Sequence, residues 1–285
     1  MPDIRAAIAE RPLVLDGGLG TLLEARRNDL SSSLWSARLL RDDPGEVRAA
    51  HAEFVAAGAD VLIGSSYQLG FGGAVPDAQV ERLLALSVTI ARDAGGRFVA
   101  ASVGPYGAVR ADGSEYTGDY ALTAPQLRDW HRRRLHALAE AGADALAIET
   151  IPSLVEVEAL CAELATLGAA AWVSLSASST AWQGDDLATA FALAAATPGV
   201  FAVGVNCCPP EAVLPALAQV PASVAGVAYP NSGERWDAAT RSWSGAAGLS
   251  AHDVRAWVDA GARLVGGCCR TTPADIAGVA AELAG

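Results

Sequence analysis

Four of the five cysteines fall in two clusters, Gly204-Val205-Asn206-Cys207-Cys208-Pro209-Pro210 and Gly266-Gly267-Cys268-Cys269-Arg270-Thr271-Thr272-Pro273. Each follows a short, Val-containing apolar segment, Phe201 to Val203 and Ala262 to Val265, of the kind that forms a buried strand. Thiols at the ends of two strands meet in space although remote in sequence. Thiolates of Cys207, Cys268 and Cys269 around one Zn²⁺, with the fourth position open, would make a catalytic zinc site rather than a structural one. The competing reading is that cysteines are simply small buried apolar side chains. That reading is taken for Cys161, on an apolar helix face. It is also taken for Cys208, because strand neighbours point to opposite faces. Cys268 and Cys269 reach one ion only if the chain leaves strand geometry, which Gly266-Gly267 permits. Neither cluster has the spaced pairs of a zinc ribbon.

Two acidic residues follow predicted strands. Asp16 comes after Val14-Leu15 and precedes Gly17-Gly18; Glu149 comes after Ala143 to Ile148. Asp16 has an ordinary alternative role as a helix cap, and Glu149 as half of a structural salt bridge. Carboxylates at converging strand ends favour a cation, here an ammonium. The amides of Gly17 and Gly18 can approach a carboxylate, and the hydroxyls of Ser65 and Ser66 stand in a polar cluster after the second strand. The ligand so described is a zwitterionic amino acid carrying a group that binds zinc. A thiol amino acid fits.

Composition narrows the field. The 285 residues are 52% apolar with a formal net charge of −12, which argues against nucleic acid or an anionic membrane as partner. No stretch is apolar and long enough to span a bilayer, and Met1 to Arg11 has no signal-peptide core, so the expected compartment is the cytoplasm. Two vicinal cysteine pairs and one odd thiol make a poor disulfide framework. All twenty basic residues are arginine. The usual Schiff-base aldolases, pyridoxal-phosphate enzymes and P-loop NTPases need a lysine and are excluded. His51, His131, His136 and His252 all sit in helical patterns, so no histidine base is assigned.

Strand and helix signals alternate from end to end, with no composition break. Predicted strands are Val14-Leu15, Ala59–Ile63, Arg97–Ser102, Ala143–Ile148, Ala170–Leu175, Phe201–Val203, Ser223–Ala228 and Ala262–Val265. Predicted helices include 44–57, 76–94, 124–140, 154–166, 185–196, 211–218, 250–259 and 273–284. The tetrapeptide Ala57-Gly58-Ala59-Asp60 recurs as Ala141-Gly142-Ala143-Asp144, each reading as a glycine helix stop before a strand. Eight such units predict an α/β fold, a closed (β/α)8 TIM barrel forming a single domain over residues 1–285. The alternative is an open doubly wound sheet. The barrel is favoured because polar motifs follow nearly every strand, and these converge on one face of a barrel. A long polar loop, 113–120, and a segment bearing Trp236 and Trp243 are candidate covers for that face.

The chain resembles the homocysteine S-methyltransferase family. The resemblance is carried by Asp16-Gly17-Gly18, Glu149-Thr150, Gly204-Val205-Asn206-Cys207 and Gly266-Gly267-Cys268-Cys269, and extends over essentially the whole chain. The segment Gly113-Ser114-Glu115-Tyr116 with Gly118-Asp119-Tyr120 is most similar to the branch that uses S-methylmethionine or S-adenosylmethionine. The family resemblance implies Zn²⁺ on Cys207, Cys268 and Cys269, and contacts from Asp16 and Glu149 to the homocysteine amine; Gly17, Ser66 and Asn206 are the further candidate substrate contacts. The implied reaction moves a methyl group from a sulfonium donor to the homocysteine thiol, giving methionine. No catalytic side chain is needed beyond the zinc-activated substrate thiolate. Trp236, Trp243 or Tyr116 would face the donor cation with an aromatic ring.

Two rival readings share the barrel. One takes betaine as donor, which calls for an aromatic cage; the other is a non-catalytic zinc or thiol sensor, which the intact Asp16, Glu149 and cysteines argue against. A zinc hydrolase is disfavoured, because three thiolates weaken zinc as a Lewis acid toward water. Donor choice, oligomeric state and the role of Cys208 are not written in the sequence.

Overall fold

The structure, a computed structural model, describes residues 3–26, 36–110, 112–176, 182, 187–237, 242–245 and 248–285. The barrel strands are β1 (Leu13–Val14), β2 (Val61–Ile63), β3 (Phe98–Val103), β4 (Ala145–Ile151), β5 (Ala171–Leu175), β6 (Val200–Asn206) and β7 (Ala225–Tyr229). An antiparallel hairpin, β8 (Arg235–Asp237) and β9 (Ser242–Ser244), precedes the last of them, β10 (Ala262–Val265). Neighbouring strands pair in parallel, β10 lies between β7 and β1, and a Leu15–Val61 bridge joins β1 to β2. The eight parallel strands are thereby brought round into a barrel, as the alternating pattern predicts.

Twelve α-helices are described. They are α1 (Ile4–Glu10), α2 (Leu19–Ala25), α3 (Ser36–Asp42), α4 (Pro44–Ala56), α5 (Asp77–Asp93) and α6 (Tyr106–Arg110). Further along come α7 (Ala124–Glu140), α8 (Leu154–Leu167), α9 (Leu187–Ala195), α10 (Val213–Leu217), α11 (Ala251–Asp259) and α12 (Pro273–Ala284). The bounds of α7 and α12 match the sequence reading because both starts are marked by a capping box, Thr123 with Gln126 and Thr272 with Asp275, with proline in the first turn. The repeated tetrapeptide works as read and does more. Gly58 and Gly142 take positive φ after α4 and α7. The aspartates that follow accept from the preceding strand, Asp60 from the Val14 amide at 3.0 Å and Asp144 from the Val99 amide at 2.8 Å.

Alternate residues of each strand face two different cores. Leu13, Leu15, Val61, Phe98, Ala100, Ala145, Ala147, Trp172, Ala202, Val227 and Leu264 fill the barrel, joined by Ile4, Ala7 and Ile8 of α1. Val14, Leu62, Val99, Ala101, Leu146, Ile148, Val173, Val203 and Val205 pack outward with the helices. Continuing the inward phase by two residues reaches Ser102, Glu149, Ser174 and Tyr229, and by four, past Gly204, reaches Asn206, all buried. The upper inward layer is therefore polar.

Several elements differ from the sequence reading. Glu149 and Asn206 lie within β4 and β6 rather than after them. Helix α1, a seven-residue helix with Ile4, Ala7 and Ile8 on its buried face, and the β8–β9 hairpin were not expected. The 113–120 loop contains a 3₁₀ turn, Ser114–Tyr116, and 211–218 begins as another at Pro210–Ala212. Trp236 and Trp243 are paired directly across the hairpin. Their side chains lie outside the described residues, as do Trp35 and Ser178.

A Cβ at Gly204 would lie 2.0 Å from the Val227 carbonyl oxygen, so β6 and β7 approach as closely as they do only because the residue is glycine. Gly204→Ala is expected to destabilise the barrel by about 1–3 kcal/mol. Thermal or urea unfolding checks this, and an unchanged midpoint would contradict it.

Candidate functional site: three thiols above two buried carboxylates

The two cysteine clusters meet. The sulfur atoms of Cys207, Cys268 and Cys269 all lie within 4.8 Å of one another, and Cys207 Sγ is 3.8 Å from Cys269 Sγ. Cys207 follows the last residue of β6 and takes a left-handed φ of 50°, turning the chain out of the strand. The β10 cluster achieves the same end differently. Neither Gly266 nor Gly267 has positive φ; they are glycines because of close approach. A Cβ on Gly267 would meet the Thr271 side chain at 2.2 Å, and one on Gly266 would meet Leu15 Cβ at 2.6 Å. The left-handed residue is Arg270, at φ 61°. The Cys268 amide donates to the Pro230 carbonyl at 2.7 Å and the Cys269 amide to Asn231 Oδ1 at 3.1 Å, so the loop after β7 holds this turn. Cys208 and Cys161 are buried in the outer core, as the apolar reading has them.

The three thiols share protons unequally. Hydrogen bonds from Cys207 and then Cys268 pull the Cys269 thiol well below its usual value. Cys268 is pushed well up by its bonds to Cys207 and Cys269 and by burial. For Cys207 the bond with Cys268 lowers the value, but the bond with Cys269, burial and the Cys269 charge together carry it well up. Without a cation, the first ionisation is helped by two S–H donors and the next two are opposed by the first. Three sulfurs at this spacing fit a soft, tetrahedral-preferring ion such as Zn²⁺, with one position remaining.

Asp16 and Glu149 stand beside the triad and close enough to feel each other. Asp16 caps no helix: the N-cap of α2 is Gly18, with no side-chain cap, and Asp16 Oδ2 accepts from the Ile63 amide at 2.9 Å. Its nearest basic group, His51 Nδ1, is 3.9 Å away, and burial holds that imidazole down at about 4, hence neutral. Burial above all, reinforced by Glu149, pushes Asp16 well above the carboxylate range. Glu149 forms no ion pair among the described residues. It accepts from the Ser102 hydroxyl and from Tyr229 Oη at 3.2 Å. Burial raises it to about 7 against the pull of those two hydroxyls, with the Cys207 charge adding to the rise.

Asn206 is braced. Its Oδ1 accepts from the Thr150 amide at 2.7 Å and from Ser174 Oγ at 2.8 Å, while Nδ2 donates to Thr150 Oγ1 at 2.7 Å. This holds Thr150 at φ 61°, where β4 breaks register with β5 just beyond Glu149. Ser66 Oγ donates to the Ser102 carbonyl at 2.7 Å. The Gly18 amide is engaged by the Thr271 carbonyl at 2.9 Å; Gly17 packs against Phe54 and that same carbonyl, where any Cβ would clash. Tyr116 Oη lies 3.9 Å from Cys207 Sγ, with the residue 41% exposed at the rim.

The sequence reading did not single out Ser102, Ser174, Tyr229 or Arg134. For the first three the signal was present: each continues an inward alternation, Phe98-Ala100-Ser102, Trp172-Ser174 and Val227-Tyr229. Arg134 carries no such mark on a helix that also bears Arg128, Arg132 and Arg133.

Fold and site define a (β/α)8-barrel enzyme with a metal-ready thiol triad at the C-terminal ends of its strands. Comparison with known proteins gives the family. A family model described as homocysteine S-methyltransferase matches residues 13–283. The chain is 44% identical to the homocysteine S-methyltransferase of Escherichia coli strain K12, covering 95% of this chain and 94% of that one. It is 39% identical to homocysteine S-methyltransferase YbgG of Bacillus subtilis strain 168, covering 94% and 93%. The crystal structure of the homocysteine methyltransferase MmuM from Escherichia coli in its metallated form superposes with a TM-score of 0.86 at 39% identity, covering 99% of this chain and 100% of that one. The chain belongs to the homocysteine S-methyltransferase family and is a methyltransferase.

The raised Glu149 makes a stability prediction for the metal-free protein. The fold holds this proton to about 7 against an ordinary value of 4.5, so it binds more protons than the unfolded chain between these values. Stability therefore falls as pH rises through that window. Glu149→Gln removes the slope: its Tm relative to wild type should climb from pH 4.5 to about 7 and then level. A difference that does not vary with pH would contradict the assignment.

Proposed function

We propose that this chain, acting as one domain over residues 1–285, transfers a methyl group from a sulfonium donor, S-methylmethionine or S-adenosylmethionine, to the thiol of homocysteine, with Zn²⁺ on Cys207, Cys268 and Cys269. The observation that carries the substrate assignment is electrostatic. Asp16 and Glu149 are two buried carboxylates within each other's field, with no cationic side chain in ion-pair contact among the described residues. A substrate ammonium supplies the missing charge, and the adjacent thiols mark where its sulfur goes. A reducing, cytoplasmic setting suits free thiols.

Bound on the triad, Zn²⁺ would lower the pKa of the substrate thiol and fix its sulfur. The protein's own groups do the rest. Asp16, held by the Ile63 amide, and Glu149, held by Ser102 and Tyr229, take the ammonium. Gly17 brings its backbone close enough for the substrate carboxylate, with Ser66 alongside, and Asn206 steadies the Thr150 turn beneath. Tyr116 presents its ring at the rim beside Cys207, where a sulfonium must approach. The homocysteine sulfur forms a bond to the methyl carbon as the donor's S–C bond breaks, and that electron pair leaves with a neutral thioether. No general base is required in the transfer, in keeping with a neutral, buried His51. The chief contribution is alignment of donor and acceptor.

Methionine formation by zinc-loaded protein, with S-methylmethionine, S-adenosylmethionine and betaine offered separately, tests this reading. Turnover with a sulfonium alone is expected; turnover with betaine alone would overturn the donor assignment. Cys207→Ser and Cys268→Ser should lose metal and activity together. Full activity in either zinc-free variant would rule out the metal's role. Tyr116→Leu should raise the donor KM by about three- to tenfold with the homocysteine KM unchanged, whereas an unchanged donor KM would remove Tyr116 from the donor's path.

A further inference from the structure

Arg134 is fully buried on the inner face of α7, and no carboxylate pairs with it among the described residues. Its guanidinium donates to backbone carbonyls of two neighbouring loops. Nη2 donates to Ser66 O at 2.9 Å and Tyr67 O at 2.8 Å, and Nη1 to Gly104 O at 2.8 Å. Burying an unpaired guanidinium is costly, and packing alone would be served better by an apolar side chain of similar length. What the guanidinium does that an apolar group cannot is hold three carbonyls with one planar fork. Those carbonyls belong to the segments after β2 and β3, which press together so closely that a Cβ on Gly104 would meet Tyr67 at 2.7 Å.

The contacts continue inward. Ser66, whose carbonyl Arg134 holds, donates its hydroxyl to the Ser102 carbonyl at 2.7 Å, and the Ser102 hydroxyl donates to Glu149. We propose that Arg134 is a positioning residue for the amino-acid substrate: through Ser66 and Ser102 it fixes the Glu149 carboxylate where the homocysteine ammonium binds. This deepens, and rests on, the substrate reading above. The charge of Arg134 also favours the ionised form of Glu149, although more weakly than the hydroxyls do. The thiol triad is held by β6, β10 and the loop after β7, and among the described residues it shares no hydrogen bond with this chain of bonds, so metal binding is separable from it.

The test is calorimetric binding of homocysteine to zinc-loaded protein, which needs no methyl donor. Arg134→Lys keeps the charge but cannot span three carbonyls. It is expected to retain one zinc per chain and to weaken homocysteine binding about tenfold, while the donor KM stays within about twofold. Ser102→Ala should weaken homocysteine similarly, and the double variant should be little worse than either single one. Homocysteine affinity unchanged in Arg134→Lys, or zinc lost with it, would overturn the assignment, as would fully additive effects. If Arg134→Lys does not fold, Ser66→Ala breaks the same chain one link on, with the same loss expected and unchanged affinity contradicting it. Wild-type zinc protein that binds no homocysteine would overturn the substrate reading and this assignment with it. Wild type that binds homocysteine no better than Arg134→Lys would overturn the assignment alone.

Discussion

Three sulfur atoms within 4.8 Å of one another cannot all ionise without a cation between them, and the top of this barrel is built to hold them there. Two of the sulfurs come from adjacent residues, which a strand would send to opposite faces. The chain must therefore stop being a strand at the right place. Cys207 and Arg270 take left-handed backbone, Gly266 and Gly267 allow contact that no side chain could accept, and the loop after β7 ties down both Cys268 and Cys269. These restraints hold the thiols together without a metal, so an ion would meet an arranged set of sulfurs.

The carboxylates answer a second constraint. Asp16 and Glu149 are buried without a neutralising side chain, and both resist ionising for that reason. Hydroxyl and amide donors from Ser102, Tyr229 and Ile63 orient them without neutralising them. An amino acid bearing an ammonium and a thiol would relieve both tensions in one binding event. Closure of the barrel is what makes this possible, because β1 and β4 lie at distant places in the open strand order and the Leu15–Val61 bridge between β1 and β2 brings them to within three steps.

Much of this was legible in the sequence. The eight strand–helix units, the helix stops at Gly58 and Gly142 and the meeting of Cys207, Cys268 and Cys269 could all be read from residue type and spacing. The competing roles for Asp16 and Glu149, helix cap and salt bridge, could be removed only by seeing their partners. Ser102, Ser174 and Tyr229 were readable in principle, since each continues an inward period of two, but the strand ends were set too early to include Glu149 and Asn206. Arg134 was not readable at all. Its importance comes from carbonyls some thirty and seventy residues away, and backbone acceptors leave no trace in residue identity.

The central claim is that the three thiols bind one zinc and leave a place for the substrate's sulfur. Zinc K-edge X-ray absorption, on protein loaded with one zinc per chain and recorded before and after homocysteine is added, tests it most directly. The account predicts a shell of three sulfurs and one lighter ligand that becomes four sulfurs. A shell unchanged by saturating homocysteine, or one with fewer than three sulfurs at the start, would contradict it.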